Sequence, residues 1–497
     1  MKLNLHLWFV LAFVGLAATP EIRAQTFTTL YNFSATNYDV ALGYPIIPDG
    51  PPTGMTNADG AEPVGTLILS GGTLYGTAFL GGTYAFGTLF AINTNGTGFT
   101  NLYNFTGGSD GDGPFSGLVL SGANLYGTAE GGGESEGEGG GTVFTINTNG
   151  TGFMPLHTFM LESSEGFYPG GLIFSGNTLY GTATSVSGGV IFTINTNSTA
   201  FSILFDLVGN DGGGPQDALI LSGTNFYGTA YSGGLYGTGT AFKLSTNGKV
   251  FTLLHSFTQG TRTFPRSGPP IIKNSDGAAP YAGLVLSGNT LYGVTTTGGT
   301  SGNGVIFAVN TNATGFTNLY TFTPTDTNGF NNDGAEPEST LVLAGDTLYG
   351  TANAGGAMGY GTVFSIKTNG TSFTTLHSFN GASDGAQPFG GLTLCGNTLF
   401  GTTFIGGTNG NGTIFSVTLP PPLPVIAGLN LVANNLVIDG GAQIAGTYET
   451  LMSTNPFLPF NQWTPVATNI LNAGGNFGVT NPIDPNLPQC FYVLQAK

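Results

Sequence analysis

Six aspartates of this chain sit in the same five-letter frame, D-G-x-x-P: Asp59, Asp110, Asp211, Asp276, Asp333 and Asp384, with Glu165 replacing Asp in the third copy. Carboxylates repeated at one position could form an acidic ring or hold a cation such as Ca2+. The same frame also describes a turn, in which Asp accepts backbone N–H groups while Gly and Pro fix the bend. Regular repetition favours the turn, because chemistry usually needs one or two carboxylates in an asymmetric setting. A second acidic group, Glu130, Glu134, Glu136 and Glu138 in AEGGGESEGEGGGT, could bind Ca2+ weakly or form a solvated loop. His157, His255 and His377 share one column of the repeat with Tyr31, Tyr103, Phe205 and Tyr320, so they read as ring-for-ring substitutions in packing. No spacing matches a Ser-His-Asp set, a zinc motif or a phosphate loop, so no catalytic residue is assigned and no cofactor is expected beyond Ca2+.

The elements that would position these residues repeat seven times. An apolar run such as LVLSG is followed by a tetrad of the LYGT kind, at Leu74, Leu125, Leu179, Phe226, Leu291, Leu348 and Leu399. A G-[TV]-x-F string comes next, then FTTLYNF or its kin, with first residues Phe27, Phe99, Phe153, Phe201, Phe251, Phe316 and Phe373. Each string is short, β-branched or aromatic, and bounded by Gly, Asn or Asp, which is strand chemistry. Asn-Gly turns join the last two strings, so each unit reads as a four-stranded antiparallel meander, with strands a to d in chain order. Tyr75, Tyr126, Tyr180, Tyr227, Tyr292, Tyr349 and Phe400, the second residues of the tetrads, are expected to pack between units. The sequons at Asn95, Asn149, Asn197, Asn312 and Asn369 fall in the c–d hairpins and read as turn residues.

Seven four-stranded units predict an all-β fold, a seven-bladed β-propeller over residues 25–418. The chain begins with a lone d string and ends the array with a, b and c strings. The N-terminal strand is therefore expected to complete the last blade and close the ring, which removes exposed edges. The repeated LSGxTLYGT and INTNGTGFTxLHSF pattern resembles the GloVer tandem repeat of exported bacterial proteins, notably of the Verrucomicrobia. That resemblance implies a secreted or surface repeat protein and supplies no catalytic residues. A proline-rich linker at 419–425 leads to a predicted fibronectin- or Ig-like β-sandwich at 426–497, whose Trp463 reads as a core residue.

Composition narrows the partners. Charged residues are 7 % of the chain, Gly numbers 85 and the net charge is −17. The nine Lys and Arg form no basic patch, which argues against nucleic acid. Residues 1–24 have the short basic start and apolar run of a signal peptide, and no later stretch is long enough to span a membrane, so an exported protein is expected, extracellular, on the cell surface or periplasmic. Cys395 and Cys490 are expected to be unpaired buried thiols rather than a disulfide. The expected function is a non-catalytic binding or structural role with an envelope polysaccharide or protein, the alternative being a propeller glycan hydrolase or lyase. The d–a connections at 34–64, 258–282 and 323–339 are longer than the rest and break the symmetry of one face. The second carries Arg262, Arg266 and Lys273, the expected charged contacts to a ligand.

Overall fold

The computed structural model describes residues 25–36, 55–134, 139–161, 163–197, 199–263 and 271–420, and beyond these the segments 425–432, 435–441, 446–455, 457–458, 462–471, 476–482 and 491–496. The expected leader, Arg266, Glu136, Glu138 and Cys490 lie outside the described residues.

Seven antiparallel sheets follow one another along the chain, each pairing a with b, b with c and c with d. Blade one runs Ile68–Ser70, Thr73–Leu80, Thr88–Asn93 and Thr100–Asn104, with a further short strand, Ala61–Pro63, on the far end of b. In blade seven, a, b and c are Thr393–Cys395, Thr398–Thr403 and Thr413–Thr418, and the outer strand is Thr26–Asn32 from the start of the chain. The ring is therefore a seven-bladed propeller closed by its first strand. The region after the linker forms two three-stranded antiparallel sheets, and Trp463 is buried there with its Nε1 donating to the Leu458 carbonyl at 2.9 Å.

Each letter of the LYGT tetrad has a distinct physical task. The leading Leu (Phe in blade four) is fully buried, and in blades one and two it packs against the preceding blade. The Tyr crosses to the next blade: Tyr75 packs with Leu118 and Leu125 of blade two, and Phe400 with Leu67 and Leu74 of blade one. Gly is required because the strand-c Phe and a strand-a Leu close over it. A Cβ on Gly76 would sit 2.5 Å from Phe90 Cζ and 2.6 Å from Leu67 Cδ2. Thr ties blades together near the axis. Thr77 Oγ1 donates to the Ser116 carbonyl of blade two, Thr182 to Asp217 of blade four and Thr229 to Ala282 of blade five.

The outer strands are joined by ring stacking. The first Phe of each d string lies flat on the Tyr, His or Phe of the preceding blade, from Tyr31–Phe99 at 4.1 Å round to His377–Phe27 at 3.7 Å. All seven junctions carry this stack. The last one closes the circle between the two ends of the array. Cys395, expected to be buried, is exposed, because it ends strand a beside the tight a–b turn, where sister copies place Ser or Ala.

Candidate functional site

The d–a and b–c loops share one face. Bridges between them recur at Asp112–Gly131, Gly213–Ser232, Ala278–Thr297, Ala335–Ala354 and Ala386–Ile405. Here the D-G-x-x-P carboxylates act as clamps. Asp59 accepts from Tyr31 Oη at 2.7 Å, from the Ser34 amide at 2.9 Å and from the Ser34 hydroxyl. Asp110 and Asp333 do the same with Tyr103 and Thr106, and with Tyr320 and Thr323. In blades where the column holds His, the imidazole takes the phenol's place: His255 Nε2 lies 2.8 Å from Asp276, and His377 Nε2 2.9 Å from Asp384. Burial alone would raise the Asp276 carboxyl, but the bonds from His255 and Thr258 pull it below the usual carboxylate range. At the entry to blade three the pair is looser, His157 and Glu165 at 3.4 Å, and at the entry to blade four Phe205 of blade three cannot bond Asp211. The histidines thus pack as expected, and their polar edges do a second job that the ring-for-ring reading missed. A carboxylate surrounded by N–H and O–H donors is fitted to hold a strand end, not a cation. Among the described residues no cluster of three or more His, Cys, Asp or Glu side chains has metal-binding geometry.

The Gly that follows each Asp adopts positive φ, 100° at Gly60, and a Cβ there would meet Thr88 Oγ1 at 2.3 Å. That threonine opens strand c and donates to the Asp59 carbonyl at 3.1 Å, so the turn is bonded through both its side chain and its backbone. The three long d–a connections share a further pin, an Asn two residues before the Asp. Asn274 Nδ2 donates to the Thr258 and Gly277 carbonyls, and its Oδ1 accepts from the Gly277 and Gly299 amides. Asn57 and Asn331 repeat the pattern in the other two. N-x-D-G is thus a sequence mark of an inserted loop whose base is locked.

The residues after each Pro reach the axis. A cavity of about 50 Å3 is lined by Val64, Phe115, Gln216, Tyr281, Glu338 and Phe389, equivalent positions of six blades, which can meet only at the centre of the ring. Phe115, Phe389 and Tyr281 pack edge to face. Asp217 joins three blades by accepting from its neighbour's amide at Ala218, from the Gly283 amide at 2.8 Å and from Thr340 Oγ1 at 2.5 Å. Half-buried carboxyls gather in the same loops. Burial, then the neighbouring Glu336, raises Glu338 to about 8, and burial, then Asp112, raises Glu130 to about 7. Glu62 rises to about 7 by burial, and Asp112 to about 6 by burial and Asp110. The Tyr281 phenol is raised by burial and by Glu130, Glu338 and Asp217. These groups come from blades one, two, four, five and six, and in sequence they look like unrelated variable letters. Apart from Glu130, which follows strand b of blade two, their common signal is position, one or two residues either side of the repeated Pro.

Exposed large apolar side chains favour this face. Tyr84, Tyr231, Leu235, Tyr236, Met358 and Tyr360 stand in b–c loops, Phe330 in a d–a loop and Tyr168 at the start of strand a of blade three. The Asn-rich c–d hairpins opposite are polar, with Asn95 Oδ1 accepting from the Thr97 amide and hydroxyl at 3.0 and 2.7 Å. Arg262 and Lys273 lie on a two-stranded ribbon, Thr261–Thr263 paired with Ile271–Lys273, and both are exposed.

Residues 53–188 and 267–427 match the Gloeobacter/Verrucomicrobia repeat, more than half of the chain, and the protein belongs to that family. No curated protein matches it in sequence. Among solved structures it is similar to an oligogalacturonate lyase in complex with manganese (9 % identity, 80 % of this chain and 97 % of that chain, TM-score 0.44). It is similar at 9 % identity to an oligogalacturonate lyase from Vibrio parahaemolyticus (80 % and 97 %, TM-score 0.43), and at 17 % identity to the computationally designed Ika8 protein (78 % and 95 %, TM-score 0.39). No helix among the described residues is long and apolar enough to cross a membrane.

Proposed function

We propose that this is an exported, non-catalytic binding protein that holds an envelope polysaccharide on the loop face of its propeller, around the axial mouth. The observation that carries this reading is the convergence of Tyr281, Phe115 and Phe389 with Glu338, whose carboxyl burial and Glu336 raise to about 8. Aromatic faces stack on sugar rings, and a protonated carboxyl both donates to and accepts from hydroxyls without imposing a charge. The ribbon bearing Arg262 and Lys273 extends the face and would meet anionic substituents, with Arg266 in the same loop. A protein ligand of the envelope is the other outcome of the test. Immobilised protein is exposed to fractionated envelope polysaccharide and, separately, to envelope protein. Retention of polysaccharide that drops at least tenfold in Tyr281→Ala, with the melting temperature held, supports the reading. Retention unchanged by that substitution refutes it.

One observation favours the alternative, a glycan hydrolase or lyase. Glu338 and Glu130 carry the raised pKa of a general acid poised near neutrality. A turnover screen on glycans with the unaltered protein and Glu338→Gln separates the two: product formed by the first and not the second establishes an enzyme.

A further inference from the structure

Blade three departs from its sisters on the loop face. Its strands b and c, Thr178–Ser185 and Gly188–Asn195, are joined by a two-residue turn, with Ser185 paired to Gly188. In blade one the same connection runs from Leu80 to Thr88, and its Gly-rich loop folds back over the sheet end. The short turn leaves a notch of about 380 Å3 between blades three and four. Its walls are the turn itself, the glycines of segment 209–214 and the start of the blade-four b–c loop, Tyr231 to Gly233.

We infer that this notch is a binding subsite for one or two neutral sugar rings of a glycan. Four observations converge on that chemistry. The volume lies in the range of small-ligand pockets. No lining side chain is charged, so the site gains nothing from an anionic or cationic ligand. Tyr231 supplies an aromatic platform held in one orientation: its ring lies so close on Gly214 that a Cβ there would come within 2.6 Å, yet 44 % of the residue stays exposed. Polar groups are present with spare capacity. Ser185 and Ser187 share one bond at 3.2 Å, so one hydroxyl keeps its proton for a ligand. Gly214 in the notch wall and Gln216 in the lining of the axial cavity stand two residues apart in the chain, so the notch lies beside the mouth and suits a chain-like ligand rather than a free monosaccharide.

This inference rests on glycan binding but on different residues from the axial reading, and the test keeps them apart. Neutral hexaoses of β-glucan, xylan and mannan type are titrated calorimetrically into the full chain, with polygalacturonate and alginate fragments as charged comparisons. Ser187→Phe fills the notch from an exposed turn position, Tyr231→Ala removes the platform, and Tyr236→Ala, on the same loop but outside the notch, is the control. The expected result is binding of at least one neutral hexaose that weakens tenfold or more in Ser187→Phe and Tyr231→Ala and is unchanged in Tyr236→Ala. Binding that survives Ser187→Phe but is lost in Tyr281→Ala overturns the notch and leaves the axial site standing. Loss in Ser187→Phe with Tyr281→Ala unaffected does the reverse. Binding of charged fragments alone, or of none, overturns the notch as a neutral-sugar site.

Discussion

Ring closure by the N-terminal strand can be tested by comparing two phenylalanines in near-identical surroundings. Phe33 follows the closing strand, and Phe105 follows the d strand of blade one; both are fully buried. Phe33 packs edge-on against Phe90 at 5.4 Å and Phe99 at 5.9 Å, and Phe105 against Phe144 at 5.3 Å and Phe153 at 5.8 Å. Each amide donates to the carbonyl of the glycine just before strand c, Phe33 to Gly412 at 3.2 Å and Phe105 to Gly87 at 3.0 Å. Truncation of a buried Phe to Ala costs about 3–5 kcal/mol. For a unit of about 390 residues the unfolding entropy is roughly 0.8 kcal/mol per kelvin, so each substitution should lower the melting temperature by about 4–6 K. The two should agree within roughly 1 kcal/mol only if the first strand is as firmly held as an internal one. A frayed closing strand would open locally, and the loss from Phe33→Ala would then be capped by that small opening free energy. Urea denaturation at constant m, with calorimetry alongside, measures both variants. A Phe33→Ala effect less than half that of Phe105→Ala would refute closure as a structural lock.

Gly350→Ala in blade six should cost about 1–3 kcal/mol, because its Cβ would meet Leu341 Cδ2 and Phe364 Cζ, both at 2.7 Å, and a buried Phe must move; an unchanged urea midpoint would show that the Leu and Phe do not close over this glycine. Asn274→Ala should free the 258–282 connection, raising its amide hydrogen exchange and protease sensitivity with a loss of about 1–3 kcal/mol, while Asn101→Ala, which removes two bonds in place of four, should cost less. Carboxyls with raised pKa are protonated in the fold while the unfolded chain has released its protons. Their contribution is therefore complete below the ordinary carboxylate range and is lost as pH rises through about 6 to 8, the span of Asp112, Glu130, Glu62 and Glu338. Asp276, held low, acts in the opposite sense and loses its contribution in acid. Melting temperature should accordingly fall between pH 5 and pH 8, and less steeply in Glu338→Gln; a rise over that interval would contradict the burial of these groups.

How much of this was legible in the sequence depends on how far apart the interacting residues lie. Strand identity, blade number and the phase that makes Thr26–Asn32 the last blade's outer strand are local: each string carries its own β-branched pattern and its own Gly or Asn turn. The turn role of D-G-x-x-P was legible for the same reason, since Gly60 and its kin bend the backbone within the frame itself. The pairing of Tyr31 with Asp59, 28 residues away, needed the fold, as did the second task of His255 and His377. The axial residues were silent, because Val64, Phe115, Gln216, Tyr281, Glu338 and Phe389 share a position and no chemistry, and only the closed ring brings them within reach. Likewise, no composition or spacing raises Glu338 to about 8; desolvation does, and it is a property of what surrounds a group in space. The notch of blade three is the extreme case: a missing loop leaves only a shorter string in the sequence, and becomes a cavity once neighbouring blades stand on either side of the gap.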